Sequence, residues 1–368
     1  MASWTLPRSR DAVPSGVRIA VDAMGGDHGP AEVVPGALDY ARAHPEDVVL
    51  LVGQEDRIRS IAPDLPPNVV VRAASQVIEM DEHPALALRE KRDASIVVAC
   101  DLVHRGEADA VVTAGHTGAG MAAAVLRIGR LPRVDRPALA VQLVRRGTPF
   151  VLLDIGANPD SSAENLAQYA RMGTIFAERV LGVPSPRVAL LSIGEEKGKG
   201  DLRIQRATEL LDASNLRFVG NVEGKDLVAD LADVIVTDAV VGNVVIKFFE
   251  GLSTFIFDLF REQFSSGVRG RLAYLLLRPG IGRIRDVFDY EKAGGSPLLG
   301  VKGGVIITHG RARRRMIGFA VEVAARMARE RVPERIAEAL RSDDAAAVSA
   351  PDSASSAALG DTREEAPA

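Results

Sequence analysis

The chain has 368 residues, 47% of them hydrophobic, with a formal net charge of -4 and a pI near 6.0. That length fits two lobes or one large α/β unit rather than a small stapled scaffold. Mild acidity argues against a protein that coats nucleic acid, and the single cysteine, Cys100, excludes an intramolecular disulfide or a multi-cysteine metal site and points to a reducing, cytosolic setting.

Residues 1–16, "MASWTLPRSRDAVPSG", lack the continuous apolar core of a secretory signal and are expected to form a disordered tail. Residues 341–368, rich in Ala, Ser, Asp and Pro, are expected to form a second one. Between them, 17–340 read as an α/β domain without an internal repeat, and no run is expected to reach the roughly 18 apolar residues of a membrane span.

Short apolar runs ending in Gly, Asp or Thr alternate with helical segments: "VRIAVDAMG", "VVLLVG", "DAVVTAG", "PFVLLDIG", "RVALLSIG", "LRFVGN", "DVIVTDA" and "GVIITHG". This pattern predicts a mostly parallel, doubly wound sheet with helices on both faces, three layers in all. Ligands of such sheets bind beyond the carboxyl ends of the strands, so the residues after these runs are expected to share one cleft.

The first strand end, "DAMGGDHGP", places Asp22 before Gly25 and Gly26, which permit close backbone approach, and before Asp27, His28 and a helix start with Pro30 in its first turn. Free amides there can hold an anion, although turn capping explains the two aspartates equally well. In "AGHTGAG", Gly115, His116, Thr117 and Gly118 make a second amide-rich helix start with a hydroxyl. It is neither a Walker A loop nor a good dinucleotide fingerprint, and His116 alone reads as a turn histidine.

Later strand ends carry Asp154 and Asn158, then Glu195, Glu196, Lys197 and Lys199, then Asp238, Asn243 and Lys247. Each has a capping explanation; their recurrence marks the cleft. "YEKAGGSPLLGVKGGVIITHG" adds Tyr290, Lys302 and His309. With no G-x-S-x-G elbow and no H-E-x-x-H, the chemistry reads as free of metal and of a side-chain nucleophile. Phe248 to Tyr290 reads as a helical hairpin. Its arginines between Arg269 and Arg285, Arg278 among them, flank an apolar tip, Leu275, Leu276 and Leu277, suited to contact with an anionic lipid surface or to a dimer contact.

Taken in order, "DAMGGDHGP", "AGHTGAG", "LLDIGANP", "LSIGEEKGKG", "GNVEGKDL", "VTDAVVGNVVIK" and "GGSPLLGVKGGVIITHG" resemble the bacterial phosphate acyltransferases of phospholipid synthesis, from about Val17 to Met327. The resemblance implies transfer of a long-chain acyl group from acyl carrier protein to inorganic phosphate without a cofactor. It also implies a fold like that of isocitrate and isopropylmalate dehydrogenases and phosphotransacetylases, with a protruding hairpin. A homodimer held at the inner face of the cell membrane is implied too, with a glycerol-phosphate acyltransferase as downstream partner. This chain departs from the family at His116, where Asn is usual, at Ala239 and Val240, and at Arg311 and Ala312.

Such a reaction needs two anions gathered, the phosphate and the developing thioester oxyanion. The expected holders are the turns at Gly25–Gly26 and Thr117–Gly118, assisted by Lys199, Arg89 or Lys91. Asp22, Asp27 and Asp238 are expected to orient these cations, His28 or His309 to donate a hydrogen bond, and His116, Asn158 and Asn243 to line the anion site. The competing readings are a nicotinamide-dependent dehydrogenase of the related fold and a non-catalytic membrane scaffold for lipid enzymes.

Overall fold

The computed structural model describes residues 16–349 apart from Arg146, Ser266, Phe288 and Asp289. Among these residues eleven strands form one sheet: β1 (Arg18–Asp22), β2 (Val48–Gly53), β3 (Val69–Ala73), β4 (Ala110–Thr113), β5 (Ala138–Arg145), β6 (Thr148–Leu153), β7 (Val188–Leu191), β8 (Phe218–Val222), β9 (Val234–Val236), β10 (Ser296–Leu299) and β11 (Gly304–Ile307). The helices are α1 (Pro30–Ala43), α2 (Glu55–Ile61), α3 (Pro84–Glu90), α4 (Ser95–His104), α5 (Thr117–Ala123), α6 (Ala163–Phe176), α7 (Leu202–Asp212), α8 (Ala239–Ser265), α9 (Gly267–Val287), α10 (Arg314–Arg329) and α11 (Val332–Ser349).

All eight expected runs are strands, and their side chains divide between two cores as a period of two requires. Ile19, Val21, Leu51, Val112, Leu153 and Leu190 point into one, under α1, α6, α10 and α11. Ala20, Leu50, Val111, Leu152, Ala189 and Ile235 point into the other, under α4, α5 and the start of α8. Three strands escaped the sequence pattern. β3 carries exposed residues at the sheet's edge, β10 is short and contains Pro297, and β5 is interrupted by Gln142.

The strand order is β3-β2-β1-β4-β11-β10-β5-β6-β9-β7-β8. Pairing is parallel within each wing and antiparallel at β11/β10, β10/β5 and β5/β6. Three reversals leave the wing of β6, β9, β7 and β8 running opposite to that of β1, β2, β3, β4 and β11. The expectation of one cleft shared by every strand end is thereby corrected. β1, β4 and β11 end at what we term the upper edge, and β6, β7 and β9 at the lower.

α8 joins the two edges. It begins at the lower edge after β9, where Asp238 Oδ1 accepts hydrogen bonds from the amides of Val240 and Val241, at 2.9 and 3.0 Å. Gly242 lies directly against the Asp154 carbonyl, so close that any Cβ there would overlap it. Over nine residues at about 1.5 Å each, roughly 13 Å, the helix climbs from Asp238 to Lys247. It then continues outward with Phe248, Phe255, Leu252 and Leu259 exposed. α9 packs back on it, with the Phe264 and Tyr274 rings 5.9 Å apart.

Two further expectations change. The stretch Ala239–Phe264 is long and apolar enough to cross a membrane by length and composition, because its charged residues, Lys247, Glu250, Asp258, Arg261 and Glu262, leave long apolar runs at its start and middle. Residues 341–349 continue α11 rather than starting a tail: the helix is anchored by buried Val332, Ile336 and Leu340, and its alanines prolong it readily. Residues 1–15 and 350–368 lie outside the described residues.

Gly242→Ala is expected to lower the unfolding free energy by about 1–3 kcal/mol through overpacking against Asp154, as measured by urea denaturation. Unchanged stability would show that α8 is free to lift from this seat.

Candidate active site

Three loops leave the upper edge, after β1, β4 and β11, and are knitted together backbone to backbone. The Asp27 amide donates to the Gly310 carbonyl at 2.8 Å. Gly26 has φ +90°, and a Cβ there would press on the Ala114 and Gly310 carbonyls at 3.0 Å; one at Gly25 would meet the Gly115 nitrogen at 2.7 Å. The glycine pair is thus required by loop packing.

Asp22 closes the knot from below. It is buried, and its Oδ2 accepts from Thr113 Oγ1 at 2.7 Å while the same hydroxyl accepts from the Gly115 amide at 3.0 Å. Oδ1 has no hydrogen-bond partner among the described residues. Burial pushes the pKa of Asp22 up despite the Thr113 bond. Asp22 therefore supports the loops and stands apart from the large cavity.

That cavity, about 480 Å3, runs between β5 and α8 from one edge of the sheet to the other. Leu139, Val141 and Leu143, alternate residues of β5, share it with Ile155 and Ile307. From α8 come Asn243, Ile246, Lys247, Glu250 and Ser253, whose helical spacing keeps them on one face. The upper rim carries Asp27, Thr117, His309 and Arg311. The volume is that of an ordinary small-molecule site, apolar within and polar at few points.

At this rim, His309 Nδ1 accepts from the Arg311 amide at 3.3 Å, which leaves the ring hydrogen on Nε2. Lys247 Nζ stands 3.4 Å from Nε2 and 3.0 Å from Glu250 Oε2. Nε2–H and the ammonium are both donors, so the pair is matched to an anion placed to accept from both. Burial, then the Lys247 charge, hold the His309 pKa below 6.5, while Glu250 and Asp27 pull it up.

Of the residues expected from sequence, Asp27, Thr117, Asn243 and His309 meet in the cavity. His116 Nδ1 caps α5 by accepting from the Gly118 amide at 3.1 Å, a task that Asn performs equally well at an N-cap. Lys91 is held by Glu82 at 2.6 Å and by the Val77 carbonyl at 2.7 Å, and Arg89 and His28 are exposed away from the cavity. The second set belongs to the lower edge. Asn158 donates to Asp154 and to the Pro137 carbonyl, Asp238 pairs with Arg203 at 2.8 Å, and Lys199 is exposed on the loop after β7. The opposed wings separate these three from His309. Leu275, Leu276, Leu277 and Arg278 are exposed on α9.

Lys247 is the residue that the expected site omitted. It was visible at a strand end, but its place beside His309 depends on the full climb of α8.

A family model described as a fatty acid synthesis protein matches residues 17–335. Similar to this chain are a phosphate acyltransferase from Desulfitobacterium hafniense (strain DSM 10664 / DCB-2), 48% identical over 311 residues, and one from Heliobacterium modesticaldum (strain ATCC 51547 / Ice1), 46% identical over 313. Each alignment covers 84% of this chain and 93% of the relative. The chain belongs to this family. A phosphotransacetylase from Streptococcus pyogenes shares the family's fold, with a TM-score of 0.56 and 18% identity over 86% of this chain and 95% of that one.

The His309 ring is expected to titrate below pH 6.5 by NMR. Its midpoint should rise in Lys247→Met, where the repelling charge is gone, and fall in Glu250→Gln. A midpoint indifferent to Lys247 would separate the two side chains.

Proposed function

We propose that the chain transfers a long-chain fatty acyl group from the thioester of acyl carrier protein to inorganic phosphate, giving acyl phosphate for phosphatidic acid and phospholipid synthesis. The observation that carries this reading is one cavity with an apolar interior and a rim where Lys247 and His309 converge as donors. The names of the relatives support it.

In this scheme phosphate lies between Lys247 Nζ and His309 Nε2, and one of its oxygens attacks the thioester carbonyl. The new C–O bond forms as the carbonyl electrons move to oxygen, facing the Thr117 hydroxyl at the start of α5. Collapse of that oxyanion breaks the C–S bond and the electron pair leaves on sulfur, which takes up a proton in solution. A thiol with a pKa near 8.5 needs little assistance to depart. Neutral His309 keeps its Nε2 hydrogen as a donor, and the Lys247 charge offsets that of phosphate.

The exposed apolar residues of α8 and α9, with Arg269 and Arg278 beside Leu275–Leu277, support docking of a cytoplasmic homodimer on the inner face of the cell membrane. There acyl phosphate passes to a glycerol-phosphate acyltransferase. α8 gives the first half of its length to the cavity, which favours lying on the bilayer over spanning it.

Purified protein with palmitoyl acyl carrier protein is expected to release carrier thiol and form acyl phosphate only when phosphate is present. Lys247→Met should raise the KM for phosphate about 10- to 100-fold, the worth of a hydrogen bond between charged groups. Thiol release independent of phosphate would sink the reading. Leu276→Asp is expected to abolish binding to anionic vesicles while turnover of soluble substrate stays intact; retained binding would move the membrane contact elsewhere.

A further inference from the structure

The cavity has a direction that the reaction alone does not require. Ser296 pairs with Ile307 and Leu298 with Leu139, so, counting along antiparallel β10, Val141 stands level with Ile307 and Leu143 level with His309. From Leu143 down to Leu139 is four residues of strand, about 13 Å. The opposite wall is α8, which from Lys247 back to Gly242 descends five helical residues, about 7.5 Å. Lys247, His309, Asp27 and Thr117 stand at the upper end; below them come buried Val141 and Ile307, then Leu139 and Ile155, with Gln142, Asn243 and Ser296 lining the same depth. An exposed glycine, Gly156, lines the lower end.

We infer that this is a threaded acyl slot, in which the chain descends from the Lys247–His309 rim between β5 and α8, and that Val141 with Ile246 at mid-depth determines which chain lengths fit. The inference rests on the acyl-transfer reading and adds the substrate's orientation and the residues that select it. Short chains end above Val141; longer ones pass it and reach Leu139, Ile155 and the opening at Gly156. The slot distinguishes lengths because each methylene admitted to apolar surroundings strengthens binding by about fourfold.

Val141→Phe places a ring across the slot halfway down, without touching the rim. With carrier protein bearing hexanoyl or hexadecanoyl chains and saturating phosphate, the ratio of kcat/KM for the long over the short chain is expected to fall by more than tenfold, while the KM for phosphate stays unchanged. Ile246→Phe, which narrows the slot from the helix side, should give the same shift and serves where Val141→Phe does not fold, as judged by circular dichroism. Leu143→Phe, at the level of His309, should instead slow both chains to a similar degree. Equal loss for both lengths in the two mid-depth variants, or an unaltered ratio, overturns the slot while leaving acyl transfer standing. Wild-type protein that transfers neither chain to phosphate removes the reading beneath it.

Discussion

Asp154 is the constraint on which the site depends. Its buried carboxylate accepts from the amides of Leu139, Gly156, Ala157 and Asn158 and from the Asn158 side chain, at 2.8–3.2 Å. Burial raises its pKa against the pull of these donors. A carboxylate so enclosed is tolerable only because its oxygens are satisfied. By accepting from Leu139 it fixes the start of β5, and its carbonyl is the surface on which Gly242 seats α8. Both walls of the cavity are therefore referenced to one residue, far from the rim where anions would meet.

The reversal of strand direction at β10, β5 and β6 gives this anchor its purpose. In a sheet of uniform direction, a helix following β9 would begin at the same edge as the loops of β1, β4 and β11. Here it begins at the opposite edge and must cross the sheet to return. That crossing turns a helix into a wall, with Asn243, Ile246 and Lys247 at successive heights. The glycine knot of Gly25, Gly26 and Gly310 then holds the upper loops tightly enough for Asp27, Thr117 and His309 to face the helix as it arrives.

Much of this was legible from residues alone, and the boundary has a physical cause. Buried parallel strands announce themselves as apolar runs, and loop residues that follow them are readable as site candidates, which is how Asp27, Thr117, Asn243 and His309 were found. Strand direction leaves no such trace. β10, with four residues and a proline, and β5, with Gln142 within it, are the elements that reverse the sheet, and they are also among those the pattern missed. Without them Lys199 and Asp238 looked equivalent to His309, though they occupy the other edge. His116 shows a different limit: its spacing invites a chemical role, while its Nδ1 is committed to a helix cap.

On the proposed reading, the length of α8 ties acyl transfer to a membrane surface. A helix needed only to form the cavity could stop after Ser253; this one runs twelve residues further, with Phe255, Leu259 and Phe260 exposed, before α9 turns back along it. An acyl phosphate is an anion with an apolar tail, and either part alone is poorly served by bulk water. The wall that contacts the tail within the slot extends beyond the rim as apolar surface on the same rigid element. On the proposed acyl-transfer reading, tail and surface would share a continuous low-polarity path, and release toward a membrane would avoid exposing the whole chain to water at about 0.8 kcal/mol per methylene.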